Sequence, residues 1–188
     1  PTGAQERDLR FRPVDPDRAR TLTRSQVESF NANGFLSPLP VLDTEKAARV
    51  RAYIDDLLAS VLAANDRRNA YSINNYHLVC AGLFDLIREP RIVALVEDVL
   101  GPQFVCWSSH LFAKLPGDPK DVPFHQDAVY WPMTPSKSVT AWLAIDDTDA
   151  ANAAMQFVPG SHLEGPLEHE VLGLDGSRVL DRRALGME

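Results

Sequence analysis

The chain changes character at Gly101-Pro102, and this change limits the folds that are open to it. Before this point, apolar residues recur at the spacing of amphipathic helices. After it, short segments rich in aromatic and β-branched residues are typical of strands. Helices followed by several short strands indicate an α+β protein, in which a sheet sandwich or barrel carries a helical layer on one side. We therefore expect N-terminal helices packed on one side of a β barrel that begins at about residue 103.

Capping signals delimit the helices of the first part. A capping box and a terminal glycine mark the first helix, and apolar residues at helical spacing mark a longer second one. A proline at the first position and a Gly-Pro stop mark the third, and residues 83–87 suit a single turn. The expected helices run from Thr23/Gln26 to Asn33-Gly34, from Asp43 or Thr44 to about Ala63, and from Pro90 to Gly101-Pro102.

Four short strands are expected in the second part, separated by turn clusters and by breakers such as Pro132 and Pro159-Gly160. Residues 1–20 are expected to be a loose lead-in, and the stretch after Ser161 to be mainly loop. The length suits one domain with a sizeable core, over residues 1–188. The strands are expected at residues 103–115, 124–130, 138–145 and 154–158.

Composition and charge argue against several classes of function. The 188 residues carry a net charge of −7, and no Lys/Arg cluster favours nucleic acid as a partner. No apolar run is long enough to span a membrane and no signal peptide is evident, so the cytoplasm is the default location. Cys80 and Cys106 lie among apolar residues and are expected to be buried thiols. The sequence does not indicate an oligomeric state.

The tripeptide His125-Gln126-Asp127 is the strongest chemical signal in the chain. On an extended strand, residues two positions apart point to the same side, so one imidazole and one carboxylate can bind the same metal ion. With a second histidine, this pair makes the 2-His-1-carboxylate triad of non-heme Fe(II) oxygenases. By itself the tripeptide is a weak signal, and its sequence context is what strengthens the metal interpretation.

The context resembles the phytanoyl-CoA dioxygenase family of Fe(II)/2-oxoglutarate-dependent oxygenases over about residues 22–165. Five blocks in the same order carry the resemblance, which makes it far more specific than the tripeptide. They are Leu22-Thr23 to Phe35-Leu36, Leu100-Gly101-Pro102 with Ser109 to Lys114, Phe124 to Asp127 with Tyr130-Trp131-Pro132, Thr140 to Asp147, and Val158-Pro159-Gly160-Ser161-His162.

The resemblance implies a double-stranded β-helix of the jelly-roll (cupin-like) type with Fe(II) in the barrel mouth, bound by His125 and Asp127. It also implies 2-oxoglutarate and O2 as co-substrates, with release of succinate and CO2. By position, His110 and Trp142 would line the 2-oxoglutarate site and Gln126 would lie beside it. Purely structural roles stay open for both side chains: His110 can be a core histidine and Trp142 a core aromatic residue.

The resemblance further implies a third ligand, a distal histidine, followed by an arginine that pairs with 2-oxoglutarate. His162 lies in the Pro-Gly-Ser-His turn and His169 follows too soon, so neither is expected to be that ligand. The expected histidine and arginine would therefore lie beyond residue 188, together with the last barrel strands. Arg178, Arg182 and Arg183 are expected in a polar loop.

Three functions remain open on the sequence. The favoured one is a dioxygenase that hydroxylates or otherwise oxidises a small molecule, such as an intermediate of secondary metabolism. The second is a non-catalytic jelly-roll binding relative, and the third is a cupin-type iron enzyme that does not use 2-oxoglutarate. The acidic composition argues against a polyanionic CoA ester as substrate, because no basic patch would receive its phosphates.

Overall fold

The structure, a computed structural model, describes residues 7–66, 68–71, 73–131, 133–152, 154–173 and 178–187. Two compact units divide the chain. The first unit comprises Pro1–Ser37, Pro119–Val139 and Phe157–Glu188, and the second comprises Pro38–Asp118 and Thr140–Gln156. That the chain forms one oxygenase domain stays a prediction. The helices are α1 (Arg24–Asn33), α2 (Thr44–Ala63), α3 (Ala81–Ile87) and α4 (Pro90–Leu100), and the strands are β1 (His169–Val171) and β2 (Arg182–Ala184).

Helix α1 of the first unit has the ends that the sequence predicted. The Thr23 side chain accepts a hydrogen bond from the Gln26 backbone, and the Gln26 side chain accepts one from the Thr23 backbone, which completes a capping box. Gly34 ends the helix in the left-handed conformation, with φ of 86°. Val27 is fully buried and is the main core residue of this helix.

Helices α2, α3 and α4 all lie in the second unit. The expected Asp43 cap is confirmed, since its carboxylate accepts a hydrogen bond from the Lys46 backbone. Pro90 stands at the start of α4, as predicted. At the end of this helix, the Gly101 backbone donates a hydrogen bond to the Glu97 carbonyl. The buried core of this unit is formed by Ile54, Val61, Ile73 and Leu83, with Val50, Leu57, Leu58, Tyr76, Cys80, Leu86 and Leu111 packed against it.

The four predicted strands are wrong as elements, because none of them is a strand in the described residues. The 103–115 segment makes only an isolated antiparallel bridge between Asn74 and His110. A strand satisfies its backbone hydrogen bonds on a neighbouring chain segment, and these segments lack one along most of their length. The described residues therefore form no jelly-roll barrel.

A small antiparallel sheet in the first unit was not predicted. Strand β1 pairs with β2 so that His169 faces Ala184 and Val171 faces Arg182. Ala184 is buried, which gives the sheet one packed position. The expected loop after Ser161 therefore contains regular structure.

Other expectations fall outside the described residues or need correction. The break at Pro132 and the first six residues of the lead-in lie outside them, as does the 174–177 part of the last stretch. Cys106 is exposed and Cys80 half-buried, so the expectation of two buried thiols is wrong for Cys106. None of the helices in the described ranges has the length and apolarity needed to cross a bilayer.

Candidate metal site

The backbone around His125 is held in place by the small sheet of the first unit. The Ala184 backbone of β2 donates to the Phe124 carbonyl at 2.7 Å. The Gln126 backbone donates to Nε2 of His169 on β1 at 3.2 Å. After this extended stretch the chain turns into a short 3-10 helix that begins at Asp127. The two predicted ligands therefore lie at a junction between extended chain and turn.

His125 and Asp127 converge even though they do not lie on a strand. Nε2 of His125 is 3.2 Å from Oδ1 of Asp127. On the other side of the ring, Nδ1 donates to the Pro123 carbonyl at 2.8 Å. The hydrogen bond to Asp127 raises the pKa of the His125 imidazole, and burial acts in the opposite direction. A metal ion between Nε2 and Oδ1 would take the place of the proton that a protonated imidazole shares with this carboxylate.

The pair fits a metal ion in geometry and in chemistry. Two ligand atoms at about 2.1 Å from one ion and at right angles to each other lie about 3 Å apart, close to the observed separation. Metal-ligating histidines usually donate their second nitrogen to a carbonyl or carboxylate, as His125 does to Pro123. The side chains are 22% and 44% exposed, so an ion can reach them. In the described part of the chain, no group of three possible ligands is found.

Tyr130 connects the candidate site to β2. Its ring meets that of His125 edge-on, with centroids 6.0 Å apart. The Arg182 guanidinium lies over the ring of Tyr130, at 6.0 Å from its centroid. Burial and the nearby Asp181 carboxylate raise the pKa of the Tyr130 hydroxyl. The sequence alone gave no indication that Arg182 would contact Tyr130.

Gln126 points to a different segment from its two neighbours. Its side-chain nitrogen donates to the Gly165 carbonyl at 2.9 Å, and its side-chain oxygen accepts from the Leu167 backbone at 2.9 Å. The amide therefore anchors the 165–167 loop beside the extended segment that carries His125. Its predicted place beside a cofactor stays a prediction.

The two later histidines of the first unit are both engaged with the backbone. His169 accepts from Gln126 through Nε2 and donates to the Leu167 carbonyl through Nδ1 at 3.0 Å. His162 donates from Nε2 to the Asn31 carbonyl of α1 at 3.0 Å. Neither ring offers an accessible nitrogen to a metal, because Nδ1 of His162 is buried against Gly34.

His110 and Trp142, the other predicted cofactor residues, belong to the second unit. The His110 ring stacks on Phe112 with centroids 4.3 Å apart, while the residue as a whole is exposed. Loss of hydration lowers the pKa of the His110 imidazole, which favours its neutral form. Trp142 is 45% exposed. Both side chains are accessible, and their contact with a cofactor stays a prediction.

Comparison with known proteins supports the family resemblance. Residues 24–179 match the family described as Phytanoyl-CoA dioxygenase (PhyH), whose fold is cupin-like. A peroxisomal phytanoyl-CoA dioxygenase from Bos taurus is 36% identical over 90 residues, which cover 46% of this chain and 26% of that relative. An ectoine dioxygenase from Nocardia farcinica is 25% identical over 175 residues, which cover 86% and 58%.

A third relative comes from Stutzerimonas stutzeri and is named a probable alpha-ketoglutarate-dependent hypophosphite dioxygenase. It is 33% identical over 98 residues, which cover 52% of this chain and 34% of the relative. These three matches thus cover between 26% and 58% of the relatives' lengths. No solved structure matches the chain.

Proposed function

The chain belongs to the phytanoyl-CoA dioxygenase family, and on that basis we propose that it is an Fe(II)- and 2-oxoglutarate-dependent dioxygenase. It would hydroxylate or otherwise oxidise a small-molecule substrate. One observation carries the proposal, namely the convergence of His125 Nε2 and Asp127 Oδ1 at 3.2 Å in an accessible position. The imidazole anchored on Pro123 distinguishes this pair from a chance surface contact.

The residues of the site have separable roles in this proposal. His125 and Asp127 hold the metal, and the Pro123 carbonyl fixes the imidazole so that Nε2 faces the carboxylate. A metal ion competes with a proton for Nε2, because an imidazole binds a metal through an unprotonated nitrogen. Bound Fe(II) with 2-oxoglutarate would supply the oxidising chemistry, in which O2 is consumed and 2-oxoglutarate is converted to succinate and CO2. His110 and Trp142 would line the 2-oxoglutarate site, with Gln126 beside it.

The substrate is proposed only as a class. The matched relatives are named for three chemically different compounds, phytanoyl-CoA, ectoine and hypophosphite. The net charge of −7 disfavours a polyanionic CoA ester. We propose a small metabolic or natural-product intermediate.

An anaerobic absorption titration tests the proposal directly. Fe(II) is added to the protein, followed by 2-oxoglutarate, and a weak visible charge-transfer band that needs both is expected. Asp127→Ala should remove the band and lower succinate formation by at least about a hundredfold, because it deletes a metal ligand. Asp147→Ala, which removes a carboxylate from an acidic surface turn, is the matched control and should retain both.

The other two functions are distinguished by the same titration. Iron binding and O2 consumption without any response to 2-oxoglutarate would indicate the cupin-type iron enzyme. Failure to bind iron would indicate a binding relative. Full turnover by the Asp127→Ala protein would show that this carboxylate is not a ligand.

A further inference from the structure

The candidate metal pair, His125 and Asp127, is joined by a backbone segment that one side chain holds, that of His169. The Gln126 backbone N–H donates to Nε2 of His169, on β1, at 3.2 Å. On the other side of the ring, Nδ1 of His169 donates to the Leu167 carbonyl at 3.0 Å. All five residues belong to the first unit. His169 thus ties the peptide between the two candidate ligands to the sheet of that unit.

The two partners of His169 determine which ring nitrogen carries the proton. A backbone N–H can only donate and a backbone carbonyl can only accept. In the neutral ring, Nδ1 therefore carries the proton that goes to Leu167, and Nε2 accepts the N–H of Gln126. Both nitrogens are used in this tautomer, so the ring acts on the metal pair through the peptide that it holds.

The position of His169 is itself determined by the sheet and by Gln126. In the sheet, His169 pairs with Ala184, which is buried and whose backbone donates to the Phe124 carbonyl at 2.7 Å. The side-chain oxygen of Gln126 accepts from the Leu167 backbone at 2.9 Å, two residues before the histidine. Both strands of the sheet therefore hold the extended segment that leads into the metal pair.

The peptide that His169 holds controls how the two candidate ligands face each other. Gln126 separates them in the chain, and its φ of −106° and ψ of 121° set the direction from the imidazole to the carboxylate. The imidazole of His125 is fixed separately, by the Pro123 carbonyl. A rotation of the Gln126 peptide would therefore move Asp127 relative to Nε2 of His125, and the hydrogen bond to His169 opposes this rotation.

We propose that His169 is a positioning residue of the metal site: by accepting the N–H of Gln126, it keeps both members of the metal pair aimed at one ion. The inference rests on the proposed function, which supplies the ion. His169 does not touch the ion and acts through the backbone of Gln126. Its replacement should therefore weaken metal binding by less than the loss of a ligand does.

Two amide side chains at position 169 separate the positioning role from a purely structural one. In His169→Gln, the side-chain oxygen reaches about as far as Nε2 does and can accept the Gln126 N–H. In His169→Asn, the shorter amide reaches about as far as Nδ1 does, so it can donate to the Leu167 carbonyl but cannot reach Gln126. The two variants are alike in chemistry and differ in which of the two hydrogen bonds they keep.

The first readout is the NMR spectrum of the isotope-labelled, metal-free protein. In the wild type, the ring nitrogens of His169 should show the tautomer protonated at Nδ1, and the Gln126 amide proton should exchange slowly with solvent. His169→Asn should shift the Gln126 amide signal and speed up its exchange, whereas His169→Gln should retain both. The amide signals of α1 show whether the first unit stays folded.

The second readout is the dissociation constant of Mn(II), measured from the EPR signal of the free ion. His169→Asn should weaken Mn(II) binding about three- to tenfold, the effect of losing one hydrogen bond. His169→Gln should retain the wild-type affinity, and Asp127→Ala, which removes a ligand, gives the value for a lost site. If His169→Asn does not fold, His169→Thr removes the same bond with a side chain that suits a strand, and should weaken Mn(II) binding by the same factor.

Several outcomes would overturn the inference. A wild-type ring protonated at Nε2, or an unchanged Gln126 signal in His169→Asn, means that His169 does not hold this peptide. Unchanged Mn(II) affinity in His169→Asn means that the peptide does not set the geometry of the metal pair. An equal loss of affinity in His169→Gln and His169→Asn means that the acceptor is not the cause.

Failure of the proposed function gives a different result. A wild-type protein that binds no Mn(II), or whose binding survives Asp127→Ala, rejects the metal site itself and this inference with it. The outcomes that reject the inference alone all compare variants of a protein that does bind the ion through Asp127, so the two failures are distinguishable.

Discussion

His162 shows how one side chain joins two parts of the sequence that are far apart. Its Nε2 donates to the Asn31 carbonyl at 3.0 Å, and the Gly160 backbone donates to the Asn33 carbonyl at 3.0 Å. These bonds satisfy carbonyls at the end of α1 that have no partner within the helix. The Pro-Gly-Ser-His turn thereby acts as a cap for α1, supplied from more than 120 residues away.

Gly34→Ala is expected to destabilise the first unit for two reasons. The residue has a φ of 86°, and an added Cβ would lie 2.6 Å from Nδ1 of His162. We expect a loss of about 2–3 kcal/mol in the free energy of unfolding by urea, from backbone strain and from the displaced ring. Gly117→Ala is the matched control, because Gly117 has a φ of 79° and an added Cβ would meet nothing within 4 Å. This variant should lower the free energy of unfolding by only about 1 kcal/mol. Equal losses in the two variants would show that the His162 contact does not constrain position 34.

Few of the contacts between individual side chains could be predicted from the sequence. The alternation of His125 and Asp127 correctly brought the two side chains to one side, although a turn and not a strand places them there. The contacts of Arg182 with Tyr130 and of Asn75 with Ser108 depend on residues about 30 to 50 positions apart. A single sequence carries no local pattern for such pairs, and only the fold reveals them.

Among the elements, the helices were predictable and the strands were not, for a physical reason. A helix closes its hydrogen bonds within four residues. The caps at Thr23 and Asp43, the proline at the first position of α4 and the apolar spacing therefore contain most of the required information. A strand needs a partner from elsewhere in the chain. The apolar alternation of residues 138–145 is therefore compatible with a strand but does not specify one.

An ion pair connects two of these helices. Lys46 in the first turn of α2 bonds to Glu89, the residue before α4, whose side chain is only 11% exposed. Removing the lysine would leave this carboxylate nearly buried without its partner, which is costly. We expect Lys46→Met to lower the free energy of unfolding by about 1–3 kcal/mol.

Arg49→Met provides the matched control for that variant. Arg49 pairs with Glu45 on the same helix, and both side chains are largely exposed, at 61% and 86%. Loss of this exposed ion pair should lower the free energy of unfolding by no more than about 0.5 kcal/mol. The double variant Lys46→Met/Glu89→Gln should recover part of the stability lost in the single one. A Lys46→Met protein as stable as the Arg49→Met protein would mean that Glu89 needs no partner.

At the scale of the whole molecule, the predicted site residues divide between the two units. His125, Gln126 and Asp127 belong to the first unit, whereas His110 and Trp142 belong to the second. The family could be predicted because five sequence blocks kept their order. The barrel could not be predicted in the same way, because its ladders depend on many distant pairings at once, and the described residues form none.

Metal binding should stabilise the first unit specifically. An ion that binds the folded state and not the unfolded one adds about 2.7 kcal/mol to the free energy of unfolding at a hundred times its dissociation constant. We therefore expect Mn(II), as a stand-in for Fe(II) in air, to raise the unfolding temperature of the wild-type protein. The increase should be lost in Asp127→Ala and retained in Asp147→Ala, because only Asp127 faces Nε2 of His125.

Hydrogen exchange would locate this stabilisation within the chain. Protection on adding Mn(II) should rise in residues 123–129 and in β1 and β2, since the backbones of Gln126 and Phe124 bond to these strands. The core helix α2 of the second unit serves as the internal reference, because none of its residues belongs to the proposed metal pair. An equal rise in α2, or an undiminished effect in Asp127→Ala, would mean that the ion binds elsewhere and that His125 and Asp127 do not form the metal site.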